Sequence, residues 1–450
     1  MQFELTKEFV NQIKECIEAQ DDAYLKTIFD ELYSEDIAPI LYELDSESQR
    51  YIINLLDTET IARVFSNMDE ETRHTIFKTF TPKEIARFIN ELYSDDAADI
   101  LNTLPVKSRE EIISNIEDKE MGLHISELLR YDDDCAGGLM AKELIKTNLN
   151  WTVKQTIDEI RNQSENVEKL YTIYVVDDDD VLQGRVSLKK IILSKDKTVI
   201  SEIYEPDIVS VETFADASEV SEIMQKYDLE TIPVVNMQGK LVGRITIDDA
   251  MDVIKEQSVE DMQAMSGISS NVEEDDSVWK LSKARLPWLI VGIIGGIVGA
   301  SFMGLFEHHL VMVPAMAFFI PLITATGGNV GVQSSSIIVQ SLANSEGLEI
   351  NNFQRLYRVS LVALINAIVI CSLVFFFVWI TGHPIKLSIV VSVSLFFVVF
   401  LASIMGTITP LILDRFGINP ALASGPFITT ANDLLGLAVY FTTAGLLLHI

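Results

Sequence analysis

Five apolar stretches, each longer than the ~20 residues needed to cross the hydrocarbon of a bilayer, crowd the C-terminal part of this 450-residue chain. They run approximately Leu286–Phe306, Met312–Ala343, Val359–Ile380, Leu387–Leu413 and Ala421–His449. With no water to satisfy backbone groups, segments of this length must be helices, so an all-α membrane domain of five spans is expected. Charge is divided to match. Of the 66 acidic and 34 basic residues, only five and four lie after position 285, which leaves a net charge of −31 on residues 1–285. Such a region repels nucleic acid and anionic lipid surfaces and favours multivalent cations, which relieve its self-repulsion.

The flanking cations set an orientation. Lys280, Lys283 and Arg285 precede span one, Arg355 and Arg358 separate spans two and three, and Arg415 separates four and five. The positive-inside rule then places the N-terminus in the cytoplasm and, after an odd number of spans, the C-terminus outside. The first residues, MQFELTKEFV, read as no signal peptide. The three cysteines, Cys16, Cys135 and Cys371, are too scattered for a disulfide framework or a thiolate metal site. A multi-pass protein of the cell (inner) membrane is the expected localisation.

Two spans carry unusual chemistry. Span two contains Pro314, Pro321 and the run Thr326-Gly327-Gly328-Asn329-Val330-Gly331-Val332-Gln333. Adjacent glycines here are expected to break the helix and free carbonyls into an oxygen-rich lining with the Asn329 and Gln333 amides. Span five carries Gly425-Pro426 and then Thr429-Thr430-Ala431-Asn432-Asp433. Asp433 is the one carboxylate inside any span, where a charge must face water, a partner or an ion. Gly292, Gly295, Gly296, Gly299 and Gly304 in span one read instead as a helix-packing face.

The soluble part divides in two. Residues 1–130 repeat a helical phrase in which Ala38, Ala62 and Ala86 recur every 24 residues, with a half-period step to Ala98. This predicts a superhelical array of short helices. Residues 137–255 hold two strand–turn–strand–helix copies, divided at about residue 200. Thr172–Val176 and Val181–Val186 flank the turn Asp177–Asp180; Thr231–Val235 and Lys240–Ile245 flank Asn236–Gly239. The pattern resembles a tandem of CBS domains, an α/β regulatory module. In that family a Thr or Ser followed three residues later by Asp often holds an adenine nucleotide. Thr246 and Asp249 fit, whereas Ser187 and Lys190 of the first copy lack the acid. ATP is therefore a candidate ligand. A linker over 256–283 follows, with Glu256, Glu260, Asp261, Glu273, Glu274, Asp275 and Asp276, and the membrane domain occupies 284–450.

The order helical array, CBS pair, linker helix and five spans resembles the MgtE family of magnesium channels over almost the whole chain. Thr326–Gln333 (TGGNVGVQ) and Ala421–Tyr440 (ALASGPFITTANDLLGLAVY) are its specific marks. The resemblance implies a homodimer in the lipid membrane with one pore on its two-fold axis. Asp433 of each subunit would face a largely hydrated Mg²⁺, with Gly328, Asn329, Gly425 and Asn432 lining the same path. It also implies regulatory Mg²⁺ at Asp95 and Asp99 of the array, at Asp216, Asp228, Asp249 and Asp252 of the second CBS copy, and at Glu260 and Asp261 of the linker ("plug") helix. Bound ions would hold the pore shut. Gln257, Ser218, Asn419 and Ser360 stand where the family usually has acids, which suggests fewer or weaker sensor sites.

Other readings stay open: a transporter of Mn²⁺ or Co²⁺, a cation-coupled carrier, or a membrane receptor whose CBS pair reads a nucleotide. No HExxH pair or GxSxG turn is present to suggest an enzyme.

Overall fold

A computed structural model describes residues 5–163, 172–274, 276–343, 352–423 and 425–449. Asp275 of the linker, and Ser424 within the span-five motif, lie outside them. The chain forms two compact units, Met1–Ile254 and Lys255–Ile450.

The first unit opens with ten helices: α1 (Lys7–Ala19), α2 (Asp22–Phe29), α3 (Ser34–Tyr42), α4 (Ser46–Leu55), α5 (Thr58–Ser66), α6 (Glu70–Phe77), α7 (Pro82–Ile89), α8 (Ser94–Asn102), α9 (Val106–Ser114) and α10 (Lys119–Leu128). The N-caps of α2 to α9 are Asp21, Tyr33, Asp45, Asp57, Asp69, Thr81, Tyr93 and Pro105. They fall at strict twelve-residue intervals. The half-period step seen at Ala98 is thus the true unit: one short helix and one turn. Ala38, Ala62, Ala86 and Ala98 are buried at equivalent positions, and the longer spacing arises because the intervening α4 and α6 carry Arg50 and His74 there instead.

Where Asp or Thr occupies the cap, its side chain accepts from the backbone N–H three residues on, as Asp45 does from Ser48 N and Asp57 from Thr60 N, removing an orphan donor of the helix end. Carbonyls at helix C-termini are met by long polar side chains from the next helix. Gln49 Nε2 donates to Leu41 O (2.9 Å), Arg73 Nη1 to Phe65 O and Met68 O (3.2 Å each), and Arg109 Nη2 to Asn102 O (2.9 Å). Gln49, Arg73 and Arg109 all stand four residues past their caps. The core between the helices is aliphatic with an aromatic centre, Phe65 lying edge-on to Phe77 (5.0 Å) and Phe88 (5.3 Å).

A turn of helix, α11 (Ala136–Leu139), leads to two similar halves. In the first, β1 (Ile145–Asn148) runs parallel to β2 (Ile173–Val176), which pairs antiparallel with β3 (Leu182–Val186). In the second, β4 (Val211–Glu212), β5 (Thr231–Val235) and β6 (Leu241–Thr246) repeat the arrangement. Helices α12 (Val153–Gln163), α13 (Leu188–Leu193) and α14 (Ala217–Tyr227) complete the halves, and α15 (Ile247–Met265) follows β6. The parallel strands β1 and β4 are four and two residues long, too short to announce themselves in the sequence. Leu182 N donates to Gly239 O and Leu241 N to Asp180 O, each at 3.0 Å, and Tyr174 Oη lies 3.1 Å from Thr231 Oγ1. These bonds join the halves.

In the second unit, five helices are long and apolar enough to cross a membrane among the described residues. They are α16 (Val278–Gly304), α18 (Ile320–Ala343), α19 (Asn352–Ile380), α20 (Ile385–Arg415) and α21 (Pro426–Leu448), with the short α17 (Glu307–Met312) after the first. Tight 3₁₀ turns at Pro314–Phe319 and Pro420–Ala423 precede α18 and α21. Helix α20 is central and largely buried, whereas α16 is almost wholly exposed.

The expected break at Gly327-Gly328 does not occur: α18 runs unbroken across it. Its glycines serve close packing instead. A Cβ on Gly327 would lie 2.9 Å from Val398 Cγ1, one on Gly331 would collide with the Asn432 amide, and one on Gly406 would collide with the Gly331 carbonyl. Span one's glycines divide similarly. Gly295 and Gly299 face Thr430, Leu434 and Leu437 of α21, while Gly292, Gly296 and Gly304 meet nothing.

Phe65→Ala, which removes the aromatic centre of the helical array, is expected to lower the unfolding free energy of the soluble unit by about 3–5 kcal/mol, read from urea unfolding followed by circular dichroism.

Candidate functional site

Two regions concentrate chemistry, one in each unit. In the first, the N-termini of α8 and α15 meet, each with acids in its opening turn: Asp95 and Asp96 on α8, Asp248 and Asp249 on α15. The docking is built from both sides. Buried Ser94 donates through Oγ (2.8 Å) and N (3.2 Å) to Glu143 Oε2, and accepts at Oγ from Lys142 N (2.9 Å). Arg244 Nε donates to Glu143 O (2.5 Å), with its guanidinium over the Tyr93 ring. Beneath, Ala98 and Leu128 of the array share one apolar cluster with Ile232, Val234, Ile245 and Ala250 of the second half.

This packing forces like charges together. Burial, then the charges of Asp249 and Asp96, push the Asp95 carboxyl well above its ordinary range. Burial, then Asp249, raises Asp96 to about 6. Asp99 sits at the rim, open at its surface yet crowded by protein; desolvation, then Asp133 and Asp96, lift it to about 7. Asp249 is raised too, chiefly by burial, although Thr246 donates to its Oδ2 from Oγ1 (2.6 Å) and N (3.1 Å). Among the described residues no three acids, histidines or cysteines are placed to hold a bare ion.

Of the expected sensor residues, the fold brings together Asp95, Asp99 and Asp249. Asp216 caps α14, its carboxyl held below the usual range by hydrogen bonds from Ser218 Oγ (2.6 Å) and N (2.9 Å). Asp228 ends the same helix in a left-handed conformation (φ 51°). Asp252 and Glu260 are exposed on α15, and Asp261 accepts a hydrogen bond from Asn419 (2.9 Å). The reading of the sequence missed Asp96 and Glu143. Leu92-Tyr93-Ser94-Asp95-Asp96 nearly repeats Leu32-Tyr33-Ser34-Glu35-Asp36, so the phrase alone does not tell which copy docks.

In the second unit, Asp433 is half-buried on α21, beside α18 where Gly328 leaves room: a Cβ there would come 3.8 Å from Asp433 Oδ1 and 3.2 Å from Thr429 Cγ2. Asn329 and Gln333 are exposed one turn apart on α18, in line with Pro321 and Ala325. Asn432 instead turns inward, wedged at Gly331, buried and with neither amide atom hydrogen-bonded. Gly425 caps α21 with φ 62°, and a Cβ on it would lie 2.5 Å from the Met265 carbonyl oxygen.

Residues 320–443 match the model of the MgtE divalent cation transporter family, residues 32–134 that of the MgtE intracellular N domain, and residues 200–256 that of the CBS domain. The magnesium transporter MgtE of Thermus thermophilus is 32% identical over 442 residues, covering 97% of this chain and 98% of that protein. That of Bacillus subtilis is 28% identical, covering 94% of each. Among solved structures, the cytosolic domain of the Mg²⁺ channel MgtE in complex with ATP is 31% identical, with a TM-score of 0.51 over 54% of this chain and 99% of that one. The soluble part of a magnesium transporter is 28% identical, with a TM-score of 0.50 over 56% and 99%. With its helical array, paired CBS halves and five-helix membrane unit matching these relatives over nearly the whole length, this chain is a member of the MgtE family of magnesium transporters.

Proposed function

We propose that the chain carries Mg²⁺ across the cell membrane through a pore centred on Asp433, and that Mg²⁺ on the cytoplasmic side closes it. The observation that carries the reading is the half-buried Asp433 beside Gly328, with α18 presenting a stripe that holds two exposed amides, Asn329 and Gln333. In a bilayer such a stripe needs water or a partner. A second copy across a two-fold axis supplies both, giving a homodimer with Asn329, Gln333 and two Asp433 carboxylates along a wet path. Asn432 then acts from behind, setting the α18–α21 spacing that positions Asp433. The cation distribution favours a cytoplasmic N-terminus.

The α8–α15 cluster is the sensor. Ionised, its carboxylates repel and loosen the array from the second CBS half; bound Mg²⁺ removes the repulsion and shifts the population to the compact, closed form. Asp216, Asp228, Asp252, Glu260 and Asp261 extend the acidic surface available to further ions. ATP is a second ligand of the CBS pair, a reading favoured by the Thr246–Asp249 pairing and by the ATP complex of a relative.

Asp433→Ala is expected to lower Mg²⁺ uptake into proteoliposomes by about tenfold or more, the factor that ~1.4 kcal/mol of barrier gives. Unchanged uptake and selectivity would remove Asp433 from the path. Millimolar Mg²⁺ is expected to slow proteolysis of the soluble region, and Asp95→Asn with Asp249→Asn to abolish that protection. Protons act by the same linkage. Asp95, Asp96, Asp99 and Asp249 hold protons more tightly folded than unfolded, so without Mg²⁺ the soluble unit loses stability as pH rises through about 6 to 7. The melting temperature measured from pH 5.5 to 8 should fall in EDTA and stay level in Mg²⁺.

A further inference from the structure

The linker meets the membrane domain through contacts that need no metal. Asn419 lies between α20 and α21, at the start of the 3₁₀ turn Pro420–Ala423. Its Nδ2 donates to Asp261 Oδ1 of α15 at 2.9 Å, while its Oδ1 accepts from Ala421 N at 2.8 Å. One side chain therefore caps the turn and holds the linker helix. The end of that helix is seated on glycine. Gly425 passes so close to Met265 O that a Cβ would lie 2.5 Å from it, and Gly267 (φ 79°) packs on Pro426, where a Cβ would be 2.7 Å from Cγ. Beyond the turn, Ser269 donates to Ala284 O through both N (3.0 Å) and Oγ (2.9 Å), anchoring the segment to α16.

A carboxylate brought to this mouth can be held by a cation or by a neutral donor. Asn419 is the neutral donor. We propose that the Asn419–Asp261 hydrogen bond is a metal-independent latch that keeps the linker docked at the mouth of α21 when Mg²⁺ is scarce. This rests on the reading of the linker as the element that closes the pore. A carboxylate at position 419 would keep the cap on Ala421 but lose the donor and oppose Asp261, so docking there would come to require a divalent ion. The latch thus sets how much of the closure is independent of Mg²⁺.

The test compares full-length wild type, N419D and the swapped pair N419D/D261N, digested with Glu-C protease in EDTA and in millimolar Mg²⁺. Cleavage after Glu256, Glu260, Glu273 and Glu274 is read by mass spectrometry. In EDTA, N419D should be cut about fivefold faster than wild type, the loss of one charge-assisted hydrogen bond. Mg²⁺ should restore its protection, and the swapped pair, which regains an amide–carboxylate bond, should match wild type in EDTA. Equal cleavage of wild type and N419D in EDTA, or no recovery in the swapped pair, overturns the latch. Mg²⁺ flux through the same preparations is scored separately: wild-type vesicles that pass no Mg²⁺ overturn the transport reading, while the cleavage rates still decide the latch.

Discussion

Repulsion between carboxylates is the constraint on which this molecule turns. A soluble part with a net charge of −31 ahead of the membrane spans is costly to compact. The fold adds to that cost by bringing two acidic helix N-termini together over an apolar floor. Helix dipoles offset some of it, since an N-terminus favours negative charge, while burial first, and neighbouring acids after it, raise the Asp95, Asp96 and Asp249 carboxyls. The interface is fastened by Ser94, Glu143 and Arg244, so it is specific in geometry yet unbalanced in charge.

The membrane unit meets the opposite difficulty, too few charges and too little water. Its polar groups are therefore sorted by surroundings. Asp433, Asn329 and Gln333 are half-buried or exposed on the surface of the chain, while Asn432 and several serines are buried between helices. Small residues make the sorting possible, because α18, α20 and α21 touch through Gly327, Gly331 and Gly406.

Much of this was legible in the chain. Spans, helical array and strand pairs were readable because apolar length and period are local properties. The intramembrane Asp433 stood out through its isolation. Three features were not legible. Whether Gly327-Gly328 breaks a helix or packs one depends on what lies opposite, and Val398 lies 71 residues away. The twelve-residue unit was masked because cap identities vary among Asp, Thr, Tyr and Pro while their spacing does not. Glu143 carries no local signal at all, and its role comes from Ser94, 49 residues earlier.

The contact between Gly331 and Gly406 has a mechanical consequence. At that point backbone rests against backbone, so no side chain stands there to change rotamer and absorb a displacement. Val398 against Gly327, and Ser334 Oγ 3.1 Å from Ser403 Oγ, also join α18 to α20, and the two helices are held as a close pair. Any shift of these helices against their neighbours is then taken up at the joints that remain, the 3₁₀ turns at Pro314–Phe319 and Pro420–Ala423 and the left-handed hinge at Gly425. Two of those three joints lie at the end of α21 that the linker touches, so a small tug there has leverage over the whole span.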